Sequence, residues 1–397
     1  MGICCKSLKK EDRDINIRVR QKKEGQNNEE KKDDIEKSTE GIKKENNNEE
    51  NLKEEKKQKE DYILASYLIK KQDIGEIIQI LNCNENEEEI KNACELFIID
   101  NKTKKSDKLE FNFQNQFQKA DNYEIKLLFI KPLSNASDLF YSCSKLKKLN
   151  LSDFNMNNIT NMNSMFSGCT SLEEIDLSNV ITNNVTSMNN LFNDCSSLKE
   201  LNLINFNTRN VIDMNSMFNN CSSLNFLDLS NFNTEKVEDM SSMFSDCLAL
   251  ISLEVSHFNT ENVKDMSSMF YKCSSLDKID LSNFTTNNVL DMRCMFSDCS
   301  SLNILVIKSF NTEKVTDMGS MFSNCSNLKK LDLSNFKTEK VDVMNGMFSG
   351  CSNLDELNLS NFICDNVRDM RNMFVNLKID CKLICEDSKI KQEMENV

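Results

Sequence analysis

A cysteine recurs every 26 residues, at Cys143, Cys169, Cys195, Cys221, Cys247, Cys273, Cys299, Cys325 and Cys351, and no other feature limits the fold of this chain as tightly. From Phe140 to Met373 nine 26-residue copies follow one another without insertion or deletion, approximating F-x-x-C-S-S-L-x-x-L-D-L-S-N-F-N-T-x-x-V-x-D-M-x-x-M. A period of this length makes each copy one supersecondary unit, unable to bury its apolar face until a neighbour stacks on it. The expectation is an α/β repeat solenoid. Within a copy L-x-x-L-D-L alternates as a short strand, and nine such strands in parallel make a sheet about 40 Å long at about 4.8 Å per strand. V-x-D-M-x-x-M-F puts apolar residues at i, i+3, i+6 and i+7, which predicts a short helical turn on the opposite side with Val, Met and Phe inward.

The flanks differ from the array. Residues 1–60 hold 17 Lys/Arg and 16 Asp/Glu with no aromatic residue, too little apolar surface to offset ordering entropy, so a disordered arm is expected. Residues 61–139 read as a small β-rich domain that caps the exposed end of the stack. Leu109, Phe111 and Phe113 share one face of a strand, as do Tyr123, Ile125, Leu127 and Phe129. IGEIIQIL and CELFIID read as buried strands, with the acidic NENEEEIKN between them as a helical turn. Residues 374–397 begin a tenth copy that fails at Leu377, where the next cysteine belongs. Leu377, Ile379, Leu383 and Ile384 are the expected closing residues, and EDSKIKQEMENV a solvated tail.

The part after residue 60 carries 32 Lys/Arg against 47 Asp/Glu, which argues against nucleic acid and for a protein or peptide with a basic surface as partner. No apolar run reaches the roughly 20 residues that cross a bilayer, and no signal peptide is recognisable. The chain opens MGICCKSLKK, which reads as a dual-acylation signal: myristate on Gly2, palmitate on Cys4 or Cys5, and assistance from Lys6, Lys9, Lys10 and Arg13. It departs from M-G-x-x-x-[ST] in placing Lys6 where a hydroxyl residue belongs and Ser7 one later. Membrane attachment through acyl chains would put the body at the cytoplasmic face, where 17 cysteines need not pair.

The columns account for the composition. The periodic cysteines read as buried free thiols acting as small hydrophobes. Met recurs in all nine copies from Met162 to Met370, and again in eight at the next position, where Leu191 is the exception. Repeated Met at helical spacing is core filler; a copper site built from thioether and thiolate is the sharper alternative. Ten aligned Phe from Phe140 to Phe374 also read as core.

Through DMSSMFSDC, KKLDLSNFKTEKV and their equivalents, residues 140–373 resemble the BspA-like leucine-rich repeats, whose mark is N-M-x-x-M-F-x-x-C-x-x-L-x-x-L-D-L-S-x-F in tandem. Residues 61–139 are similar to the β-rich segment that precedes some such arrays. Where the general leucine-rich pattern places asparagine, these copies have Phe154, Phe206 and Phe232, which excludes an asparagine ladder at that site. The family includes surface proteins that bind host or matrix proteins, so the resemblance implies protein recognition and no enzyme activity. It also raises a surface-displayed adhesin as the alternative to the lipid-tethered protein, and the thiols raise a metal or redox protein as a third.

Chemistry has little to rest on. His257 is the one histidine and occupies a slot that other copies fill with Asn; no phosphate loop, dinucleotide fingerprint, H-E-x-x-H or C-x-x-C occurs, and Cys381 with Cys385 makes only C-x-x-x-C. No cofactor is expected, and the D-x-S-N carboxylates do not converge as a calcium loop does. What varies is the outward face of L-x-x-L-D-L. Its candidate partner-binding residues are the carboxylates Glu174, Asp176, Glu200, Asp228, Glu254, Asp280 and Asp332, and three apolar residues that break the polar rule: Phe226, Ile304 and Val306. Scattered surface hydrophobes without function are the competing reading.

Overall fold

The computed structural model describes residues 60–83 and 86–395; the acylation signal at Gly2, Cys4 and Cys5 and nearly all of the charged arm lie outside the described residues. Six strands precede the repeats: β1 (Tyr62–Ile69), β2 (Ile77–Gln79), β3 (Cys94–Ile99), β4 (Ser106–Lys108), β5 (Gln114–Gln116) and β6 (Asp121–Phe129), with helix α1 (Glu87–Ala93) before β3. Glu87, Glu88 and Glu89 fill the first turn of α1, where the backbone N–H groups favour carboxylates. CELFIID and YEIKLLFI form strands as expected, and IGEIIQIL pairs over only three residues. The alternation of Leu109, Phe111 and Phe113 packs on the core but forms no strand: it lies between β4 and β5, tied at its ends by the Leu109 N–H to the Leu96 carbonyl and by the Phe113 carbonyl to the Ile80 N–H.

Sequence reading passed over β1, and β1 is the joint. It pairs antiparallel with β6 on one side and with β7 (Leu146–Asn150), the first repeat strand, on the other, in a sheet of order β4-β3-β6-β1-β7-β8 that ends at β8 (Glu174–Asp176). Ile63, Ala65, Tyr67 and Ile69 point into the core, and the Tyr67 hydroxyl donates to the Ile80 carbonyl at 2.5 Å. The cap closes the stack by prolonging its sheet, which removes the open edge that a repeat array would otherwise present.

The nine copies coil as a solenoid with parallel strands on one side, but the sheet is not continuous. β7 pairs with β8; β9 (Lys278–Asp280) with β10 (Ile304–Val306); and β12 (Glu356–Asn358) with both β11 (Lys330–Asp332) and β13 (Lys382–Ile384). Residues 200–202, 226–228 and 252–254 occupy the same place in their copies without a ladder. The opposite side explains why this is tolerated. There each copy gives five backbone bonds to its neighbour, as Met162, Ser164, Phe166 and Gly168 donate to Ser187, Asn189, Leu191 and Asn193 while Thr186 donates back to Thr160, and the pattern is unbroken through Arg368 to Asp342. The turn side therefore holds neighbouring copies together where the strands are missing.

That side is built of turns, and they are not helical. Met165, Ser167 and Cys169 donate to the residue three before, while the residues between them donate to the next copy. Each turn of the stack places two residues at positive φ, such as Asn190 and Asp194 or Ser216 and Asn220, with Gly346 and Gly350 where the eighth copy meets the ninth. Positive φ suits the third position of a type II turn and is tolerated by Gly, Asn and Asp. Inside, the Phe column stacks from Phe140 to Phe374 at ring separations of 5.3 to 6.2 Å. Each periodic thiol from Cys169 onward donates to the Phe carbonyl of the copy before, for example Cys195 to Phe166 at 3.2 Å and Cys325 to Phe296 at 3.0 Å. Buried threonines form a second rail: Thr182 Oγ1 donates to the Asn207 carbonyl at 2.9 Å and accepts the Asn207 N–H at 2.8 Å, and Thr286 repeats this with Asn311. An asparagine ladder does exist, one residue before the site now held by Phe. Asn179, Asn283 and Asn335 donate across copies to Ser152, Ser256 and Phe310, and His257 holds the same place with Nε2 at 3.0 Å from the Leu229 carbonyl.

The C-terminal reading needs one correction and one addition. Ile379 is 99% exposed and closes nothing. The tail is largely exposed, as expected, but it is not loose: it forms α2 (Ser388–Glu395), capped by Asp387, whose Oδ1 accepts the N–H groups of Lys389 and Ile390, and it buries Ile390 completely. Among the described residues no helix is long and apolar enough to cross a membrane.

Candidate functional site: an acidic groove on the sheet side

Phe226 stands 78 residues, or three copies, before Ile304, and the two line one groove of about 540 Å³ with Val306, Asp228, Glu254 and Asp280. The groove extends from residues 226–228 and 252–254, where the ladder is missing, to the β9–β10 pair. Phe226 is 62% and Ile304 52% exposed, while Val306 is half-buried. Two rows cross the groove. Phe226, Ser252, Lys278 and Ile304 form one; Asp228, Glu254, Asp280 and Val306 form the other. The strand period places both rows outward because the leucines between them turn in.

The acidic row is held in charged form. Ser230, Ser256 and Ser282 donate their N–H groups to one oxygen each of Asp228, Glu254 and Asp280 at 3.0, 3.0 and 2.9 Å. These serine hydrogen bonds lower all three pKa values, and the side chains stay open to solvent. Three carboxylates against Lys278 leave the groove negative.

The remaining candidates lie on the same side but elsewhere along it. Glu174 and Glu200 face a second hollow of about 640 Å³ between the second and third copies, shared with Glu173 and Lys199. Glu174 is engaged there by Lys148 at 2.7 Å. Asp176, the last residue of β8, lines with Glu174 a further hollow beside Ser66 and Glu124 of the cap, and Asp332 on β11 is exposed and outside these hollows. Sequence reading missed Ile251, 60% exposed, because it stands at the first variable position of L-x-x-L-D-L and only the second was compared. The signal was present: the other eight copies have Lys, Glu, Asn or Asp there.

The thiols offer no chemistry of this kind. All fifteen cysteines among the described residues are free, and burial raises Cys247, Cys299 and Cys351 to about 12. Among the described residues no three His, Cys, Asp or Glu are grouped to hold a metal ion.

A family model described as "Mycoplasma protein of unknown function, DUF285" matches residues 109–227, 213–308 and 303–383, overlapping spans that together take in well over half of the chain. The chain belongs to the DUF285 family. The DUF285 spans start inside the cap, so β5 and β6 fall within the family's pattern together with all nine copies. No curated protein matches the chain. A solved structure titled "Crystal structure of TLR13-ssRNA13 complex" is similar at 16% identity with a TM-score of 0.27. That match covers 58% of this chain and 40% of the other, so the DUF285 chain spans less than half of it and the likeness bears on no functional point.

Proposed function

We propose that this chain is a non-catalytic interaction protein whose sheet side receives another protein with a basic surface. The observation that carries the reading is the groove, in which solvent-exposed Phe226 and Ile304 are rimmed by Asp228, Glu254 and Asp280. Large apolar side chains left in water inside a charged rim are where binding energy concentrates. The finer resemblance to BspA-like leucine-rich repeats supports the same role. Phe226→Ser, and Ile304→Ser with Val306→Thr, should leave the fold intact and weaken retention of the bound protein in quantitative pull-downs. Glu174→Lys, Asp176→Lys and Glu200→Lys together should mainly slow association, with the loss shrinking as salt rises. Retention undiminished in all of these folded variants would move the surface to the turn side or to the cap.

Tethering is a separate proposal, resting on the residues of MGICCKSLKK alone. Acyl chains on Gly2 and on Cys4 or Cys5 place the body at the cytoplasmic face of a membrane, since one chain gives only reversible binding and two hold. Gly2→Ala, or Cys4→Ser with Cys5→Ser, should then shift the protein to the soluble fraction; unchanged fractionation of both would refute the tether.

A further inference from the structure

We infer that the groove reads an extended peptide of the pattern apolar-x-basic-x-apolar, laid along the solenoid axis from Phe226 to Ile304. The inference deepens the interaction reading and rests on it. Three copies separate the two apolar ends, a span of about 14 Å at about 4.8 Å per strand. An extended chain advances about 3.4 Å per residue and turns alternate side chains to one face, so residues i, i+2 and i+4 face the groove and i to i+4 covers about 14 Å. The two apolar contacts then fall on Phe226 at one end and on Ile304 with Val306 at the other. The middle residue falls midway, between the fifth and sixth copies, on the diagonal from Phe226 to Val306, where the carboxylates of Glu254 and Asp280 outnumber the one ammonium of Lys278 in the neighbouring row. Charge complementarity makes that residue Lys or Arg. A helix does not fit the same marks: about nine residues cover this length, which is two and a half turns and puts the two ends on opposite faces.

The test uses labelled synthetic peptides, flanked by Gly and Ser, in fluorescence anisotropy against the full chain. The reference peptide is Leu-Thr-Lys-Thr-Leu; its companions replace the central Lys by Glu, or shorten the spacing to Leu-Thr-Lys-Leu. The reference should bind, and each companion should bind about tenfold more weakly or worse, as should the reference on Phe226→Ser. Glu254→Lys with Asp280→Lys should invert the preference toward the Glu-centred peptide, a reversal that loss of structure cannot imitate. Failure of every peptide to bind the folded wild type overturns the inference. Binding that is lost on Phe226→Ser yet indifferent to spacing and central charge overturns the pattern and leaves the groove as the interaction surface. Binding unchanged on both Phe226→Ser and Ile304→Ser overturns the pattern and the sheet-side reading together.

Discussion

Asp239 stands in a column with Asp213 and Asp265, bridged copy to copy along the turn side, and burial together with these like-charged neighbours raises its pKa. A raised carboxyl binds its proton more tightly folded than unfolded. Its contribution is therefore full below the ordinary Asp range and is lost as pH rises through the raised value, leaving the charge unfavourable at neutral pH. Asp239→Asn should stabilise the protein at pH 7, by about 0.2–1 kcal/mol for each screened neighbour relieved. The gain should disappear in melts near pH 3, where the wild type is itself neutral. Geometry does not oppose the change, because the slot is already filled by Asn161, which accepts the Asn163 N–H at 2.9 Å as Asp239 accepts that of Ser241 at 2.8 Å. A destabilised Asp239→Asn at pH 7 would mean that the column's charge is satisfied in a way these neighbours do not account for.

Helix α2 holds the last copy through few but specific groups. Asp387 accepts the Cys364 N–H at 2.9 Å, Lys389 donates to the Cys364 carbonyl at 2.8 Å, and Ile390 is wholly buried. Ile390→Ala should cost about 2–5 kcal/mol if the stack unfolds as a unit, read as a lowered midpoint in denaturant; fraying confined to the end would appear instead as protease cleavage after β13 with the main transition unmoved. How such elements could be read beforehand depends on what disguised them. The Phe and Cys columns were legible because a strict period sets every member against the same neighbours. The turn side was misread as helical because Met at i and i+3 suits either a helix or successive turns, and the distinction lay in the Asn, Asp and Gly at 190, 194, 220 and 350 that accept positive φ. Ser388–Glu395 looked solvated since its one buried residue is surrounded by Lys, Gln and Glu, yet Asp387 followed by Ile390 and Met394 is a cap with an i, i+4 apolar pair. β1 escaped because Tyr62, Leu64 and Leu68 make its outer face nearly as apolar as its inner one. For the groove, residue type and copy number were enough to bring Phe226 and Ile304 together; the break in the ladder beneath them has no counterpart in the repeat consensus.

At the scale of the whole molecule the thiols share one fate. With pKa values raised by burial, to about 12 at Cys247 and Cys351, and with Sγ bonded to the preceding Phe carbonyl, native alkylation of the periodic cysteines should be at least about a thousandfold slower than after denaturation. Mass spectrometry of singly labelled protein checks this, and rapid native labelling of Cys195 or Cys273 would show that the stack breathes. The unbroken turn side also means that every seam between neighbouring copies is nearly the same joint. Excising one whole copy, for instance residues 243–268, brings like edges together and should leave a solenoid one step shorter. Phe226 and Ile304 would then stand two steps apart instead of three. The array is in this sense a graduated rule with two marks cut on it, and gain or loss of single copies would change which lengths it measures without asking anything new of the material.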